Sequence, residues 1–180
     1  MTSDFVLIFR LLASGFSYPG KENLSPSFFR AVEELAENAG IEIGHLSFTP
    51  EELQQAYTRL FINSPGGIPA PPYASVYVAG QGLLMQEGYG QAQDFYQRAG
   101  LEPLNKEEPA DFLPVELFFV AVLLEKKAFD LLSEFLGTHL LKWFRIFEER
   151  VQAANPHPYY SLLARLTLFY LTKLNEEVFG

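Results

Sequence analysis

No cysteine occurs among the 180 residues. Disulfides, thiolate nucleophiles and thiolate metal ligands are therefore excluded, and the expectation is a cytoplasmic protein. Long apolar runs are missing as well. The longest apolar-rich stretch, FLPVELFFVAVLL, is too short to span a bilayer and carries Glu116. The opening MTSDFVLIFRLL has an acid and no basic leading region, so it does not read as a secretory signal. Sustained apolar–polar alternation, the mark of a half-buried strand, is absent, and no internal repeat is found.

Catalytic signatures are lacking too. His45, His139 and His157 lie far apart with no metal-ligand spacing, and each reads as a surface, capping or core side chain. There is no GxSxG, no Walker A loop and no GxGxxG after a strand. SPGG at 64–67 is glycine-rich but lacks the lysine and the strand–loop–helix setting of a phosphate loop. No catalytic residue, metal or cofactor is expected. Positive charge is scarce, with 13 Lys and Arg against 22 Asp and Glu and a formal net charge of −9. Such a surface repels nucleic-acid phosphate and attracts a basic partner; it also serves solubility alone.

What is present is helical periodicity in a chain about half apolar. Phe5, Ile8, Phe9 and Leu12 share one face of a first helix that ends at Gly15. SPSFFRAVEELAENAG predicts a second, with Ser25 as N-cap, Pro26 at N1 and Gly40 at its stop. TPEELQQAYTRLF predicts a third, with Thr49 and Glu52 as a capping box and an apolar stripe from Leu53 to Phe61. EGYGQAQDFYQRAG reads as a weak helix and LEPLNKEEPA as a loop. DFLPVELFFVAVLLEKKAFDLLSEFL is greasy on every side, which places it at the centre of a bundle, with a start near 109–111 because Pro114 must lie in the first turn. A turn is expected around Gly137. A helix with Leu140, Trp143, Phe144, Phe147 and Val151 on one side follows, then a last one capped by Asn155 with Pro156 at N1. The fold expected is a single-domain, all-α helical bundle of six or more helices over residues 1–180.

Two places invite a functional reading. YTRLFINSPGGIPAPPYASVY starts as a helix and then breaks on prolines and glycines, with a short helical turn resuming near Ala74. Prolines fix an extended path, and aromatics beside them make a preformed apolar surface suited to an extended or helical peptide. The alternative is an ordinary connector whose aromatics plug the core. The second place is EEPADFLPVEL. Glu107, Glu108 and Asp111 favour the positive end of the helix dipole, and Glu116 sits in an apolar run, four residues after Phe112. A buried carboxylate needs a partner or a raised pKa, and Arg59 is a candidate partner. The pair is either structural or functional. Together the two places, 57–77 and 107–117, describe an apolar groove with an acidic rim. A ligand with a basic end and an apolar body fits it, the layout of a twin-arginine signal peptide.

YTRLFINSPGGIPAPPYASVY, EPADFLPVELFFVAVLL, HLLKWFRIFEE and HPYYSLLARLT, in this order and spacing over roughly residues 50–170, resemble the TorD/DmsD/NarJ family of molybdoenzyme maturation chaperones. The resemblance implies a TorD-like helical bundle, monomeric or a domain-swapped homodimer, without enzyme activity. It implies as partners the twin-arginine signal peptide and the apo-form of a dimethyl sulfoxide reductase-type catalytic subunit, held back until its molybdenum cofactor is inserted. The alternative within the family is an assembly factor for a leaderless molybdoenzyme. No nucleic acid and no membrane insertion are expected. Family peptide-contact and signature positions fall on Arg59, Phe61, Pro69, Pro71, Pro72, Tyr73, Ser75 and Tyr77, and on Glu108, Pro109 and Asp111. Phe112, where the EPxDH signature has histidine, and Glu116 complete the expected peptide-binding set. Lys142 replaces a usual proline, and Tyr73 stands where some relatives have tryptophan.

Overall fold

The computed structural model describes residues 2–44, 46–78, 87–101 and 108–179. His45, Glu107 and most of the loop predicted over 101–110 lie outside the described residues. Among the described residues eight α-helical segments follow one another: α1 Thr2–Gly15, α2 Pro26–Asn38, α3 Pro50–Tyr57, α4 Glu87–Arg98, α5 Leu113–Glu125, α6 Phe129–Phe135, α7 Leu141–Ala153 and α8 Pro158–Phe179. A π turn over Leu136–Leu140 fuses α6 and α7, so the described residues form seven rods. Among the described residues there is no strand, and no helix is long and apolar enough to cross a membrane.

The predicted helix boundaries are built from side-chain caps. Ser25 Oγ accepts the Phe28 N–H at 3.2 Å, and Gly40 closes α2 at φ +65°, where a glycine carries no Cβ penalty. At α3 the box is reciprocal. The Glu52 N–H donates to Thr49 Oγ1 at 3.2 Å, and the Thr49 N–H donates to Glu52 Oε2 at 2.6 Å. Thr49→Ala should lower stability by about 1 kcal/mol in thermal denaturation, with Glu52→Ala giving a smaller loss.

Boundaries differ from the sequence reading at the start of α5, at Gly137, at the last helix, and at Lys126–Ala128, where Lys127 is left-handed at φ +55° and the run read as one helix divides into α5 and α6. Gly137 does not turn the chain. Its φ is not positive and its surroundings are open, so the helix passes through it, and the wider π turn brings Leu136, His139 and Leu140 inward together. The last helix starts at Pro158 rather than Pro156. Asn155 is left-handed at φ +47°, which ends α7, and the Tyr159 N–H finds His157 Nδ1 at 3.2 Å.

α5 is buried on nearly every side and packs lengthwise on α1. Beside it, Phe16 at the end of α1 meets Phe61, Phe144 and Phe147 at centroid distances of 6.1, 6.5 and 5.8 Å. This aromatic knot ties α1, the π turn Thr58–Ile62 that continues α3, and α7, and it fixes the segments that frame the site.

Candidate functional site

The break after α3 is pinned to the lead-in of α5. The Ala74 N–H donates to the Asp111 carbonyl at 3.0 Å and the Leu113 N–H to the Pro72 carbonyl at 2.9 Å. The latter bond explains why α5 begins at Leu113, later than predicted: the Leu113 N–H is spent across the joint, and Phe112 is held extended at φ −72°, ψ 128°. Tyr73 and Phe112 form an isolated antiparallel bridge, and their rings stack at 5.2 Å with planes 28° apart. The two segments singled out in the sequence are therefore one unit. A histidine at 112 could stack there too; phenylalanine makes that contact wholly apolar.

Asp111 is the bracket of this joint and not part of a rim. It is fully buried, and its Oδ2 accepts the Ser75 N–H at 2.8 Å. Asp111 Oδ1 and Ser75 Oγ have no hydrogen-bond partner among the described residues. α4 closes over the joint, with Gly88 directly against the Ala74–Ser75 backbone.

In front of the joint runs a groove of about 900 Å³. The C-terminal half of α1 forms one wall with Ala13, Ser14, Ser17 and Tyr18. The outer face of α5 forms the other with Pro114, Val115, Phe118 and Val122. Tyr57, Phe61, Ile62, Pro72, Tyr73 and Phe112 close one end. Tyr18, Ile62 and Phe118 are 54, 49 and 44% exposed, large apolar groups left in water along one channel. Glu22 and Glu108 border it, and neither has a cation partner among the described residues. Arg10 also lines it, held by Glu125 at 2.8 and 3.1 Å and stacked over the Phe118 ring. Burial, then the charges of Glu108 and Asp111, raise the Tyr73 hydroxyl above its ordinary pKa; burial, Tyr73 and Glu108 do the same to Tyr57.

Of the expected site residues, Phe61, Pro72, Tyr73, Glu108 and Phe112 line the groove. Arg59, Pro69, Pro71, Ser75, Tyr77, Pro109, Asp111 and Glu116 do not. Tyr77 stands behind it, stacked on Trp143 at 5.6 Å, with its hydroxyl donating to the Pro71 carbonyl. Glu116 faces the opposite side of α5. Phe112 precedes the helix in an extended conformation, so their four-residue spacing does not place them on one face. Nor is Arg59 the partner of Glu116: Arg59 is exposed, and the buried carboxylate is met by His139 Nε2 at 2.7 Å and the Trp143 Nε1–H at 3.0 Å. His139 Nδ1 lies 3.0 Å from Gln91 Oε1, which ties α4 into the same network. Burial raises the Glu116 pKa, with its two hydrogen-bond partners offsetting part of the effect. The contribution of α1 was not legible, because only packing reveals that its small residues face α5 across a channel. Among the described residues no group of three His, Asp or Glu is placed to hold a metal ion.

Residues 21–149 match the family described as nitrate reductase delta subunit. The chain is 34% identical over 132 residues to the chaperone protein TorD of Vibrio cholerae serotype O1 (strain M66-2), covering 67% of this chain and 59% of that one. It is 29% identical over 119 residues to the probable Tat proofreading chaperone DmsD of Haemophilus influenzae, covering 66% and 58%. The matched part thus spans somewhat over half the length of these curated relatives. The crystal structure of a putative redox enzyme maturation protein from Archaeoglobus fulgidus superposes with a TM-score of 0.66 at 30% identity, covering 93% of both chains. The chain belongs to the TorD/DmsD/NarJ family of redox-enzyme maturation proteins.

Proposed function

We propose that the protein is a cytoplasmic chaperone that binds the twin-arginine leader of a dimethyl sulfoxide reductase-type catalytic subunit, and delays export until the molybdenum cofactor is in place. The observation that carries this reading is the groove itself: an apolar channel bordered by two carboxylates without cation partners among the described residues. Family membership supplies the client class. The groove supplies the chemistry, since an apolar helix or strand preceded by arginines buries its body and pairs its charges in one act.

Calorimetric titration with synthetic leaders of the molybdoreductases encoded in the same genome tests this, with twin-lysine versions as controls. One leader should bind, weaken as salt rises and weaken on arginine-to-lysine exchange, because lysine cannot give the forked pairing of a guanidinium. Tyr73→Ala should weaken that binding by about 1–3 kcal/mol while leaving the fold intact, since the ring stands half-exposed at the groove. A stable complex with a folded apo-enzyme and no affinity for any leader would instead support an assembly factor for a leaderless client.

A further inference from the structure

The groove is not the same at its two ends. α1 and α5 run antiparallel along it: Arg10 reaches Glu125 and Phe118 on α5, whereas Ser17 and Tyr18 share the channel with Pro114 and Val115 near the start of that helix. At the near end stand Glu22 and Glu108, both without a cation partner among the described residues, with the hydroxyl-bearing rings of Tyr18, Tyr57 and Tyr73 beside them. At the far end Glu125 is paired with Arg10 in a two-point contact, and Arg10 itself is laid over Phe118. Between the ends, the α5 wall from Pro114 to Val122 is apolar over about 12 Å, two turns of helix. One end holds two carboxylates with no cation partner among the described residues, and the other has a guanidinium already in place.

We infer that the groove reads its peptide in one direction, with the basic end held between Glu22 and Glu108 and the apolar body running along α1 and α5 toward Phe118 and Arg10. This deepens the proposed leader binding and rests on it. Two features enforce the direction. Arginines at the near end find carboxylates that no cation among the described residues pairs; at the far end they meet Arg10 and a carboxylate already taken, so reversal loses the attraction and adds like-charge repulsion. The apolar wall then sets how much of the body is gripped: about eight residues if helical, about four if extended. Glu22, which lies outside the two segments that the sequence singles out, becomes a specificity-determining residue, and so does Arg10 as the stop at the other end.

The test uses a synthetic peptide with an arginine pair followed by about twelve apolar residues, the span of a leader's core. It carries a benzophenone either beside the arginines or at the far end of the apolar body. Photocrosslinks are mapped by mass spectrometry on the full chain, and affinities are measured in parallel. The label beside the arginines should mark residues near Tyr18, Glu22 and Glu108, and the distal label residues near Phe118 and Val122. Glu22→Gln and Glu108→Gln, both at exposed positions, should each weaken the arginine peptide about three- to tenfold and have little effect on a peptide whose arginines are replaced by glutamine. The swapped pattern of crosslinks with affinity intact would overturn the direction and leave leader binding standing. Crosslinks outside the groove with affinity intact would overturn the direction together with the site. Absence of binding by the unlabelled peptide and by the native leaders alike would overturn the proposed function and the direction with it.

Discussion

Replacing His139 by alanine is expected to lower the unfolding free energy by about 3–5 kcal/mol, one of the largest losses a single substitution would cause in this bundle. His139 and Glu116 are 1 and 0% exposed, and their nitrogen and oxygen lie 2.7 Å apart. Without the imidazole the carboxylate keeps one hydrogen bond, from Trp143, and must otherwise be protonated or remain buried without compensation. Glu116→Gln is the informative companion. The amide can still accept from Trp143 and donate to His139, so its cost should be small, but the charge is gone.

The pH dependence of that pair follows from the direction of both shifts. Burial opposes charging His139, yet the adjacent Glu116 carboxylate outweighs it and the imidazole pKa is raised above 6.5. Glu116 is raised too, chiefly by burial. A group whose folded pKa exceeds its unfolded one stabilises fully below the unfolded value and loses that contribution as pH rises through the folded one. The Glu116 contribution should therefore fall from about pH 4.5 upward and the His139 contribution from about pH 6.5 upward. In the Glu116→Gln protein, burial is opposed only by the weaker influence of the Asp111 charge, and that alkaline decline should largely disappear. His157, whose pKa burial lowers, contributes with the opposite sign but is common to both proteins and cancels in their difference. Urea midpoints of the two proteins between pH 6 and 9 should converge as pH rises; parallel curves would show that the pair does not titrate in this range.

Gly88→Ala should be the second severe change, at about 3 kcal/mol or more. A Cβ at this position would lie 2.6 Å from the Ser75 nitrogen and 2.7 Å from the Ala74 carbonyl carbon. Both are backbone atoms, so no side chain can swing aside. Yielding would pull the Ser75 N–H from Asp111 Oδ2, and that carboxylate has no other bond among the described residues. The bridge that positions Tyr73 and Phe112 would move with it, so leader affinity should fall as well. Gly90→Ala, two residues on in the same helix, meets nothing within 4 Å and should instead stabilise by about 0.5–1 kcal/mol. Equal effects at the two positions in chemical denaturation would contradict the close packing of α4 on the joint.

Local chemistry made much of this fold readable. Ser25, Gly40 and the Thr49–Glu52 box act through neighbours in the chain, and each appears where the sequence placed it; the greasy run is buried as expected but starts later, at Leu113, and breaks after Glu125. Gly137 was misread because glycine lowers helix propensity by only about 1 kcal/mol, which the burial of Leu136 and Leu140 on either side readily exceeds. Asn155–Pro–His–Pro offered two prolines for one first turn, and nothing local chooses between them. The site was legible in part: the Pro-rich break and the EPADF segment do meet, but which face each residue presents was not. Asp111 looked like a rim carboxylate because it is acidic and close in sequence to Glu108, and Glu116, read as a buried carboxylate, was given the wrong candidate partner in Arg59. Their partners, Ser75, His139 and Trp143, sit 36, 23 and 27 residues away, and no pattern in the chain announces such pairings. The α1 wall was missed for the same reason.

The most direct test of the groove as the leader site is a nuclear magnetic resonance titration of the isotope-labelled full chain with the leader that binds in calorimetry. The amide signals that shift should come from Arg10 to Glu22, from Tyr57 to Ile62, from Pro72 to Tyr77 excluding the prolines, and from Glu108 to Val122, with α8 and the outer face of α2 unmoved. Shifts concentrated on α8, with the groove signals unchanged at saturation, would contradict the groove as the binding site.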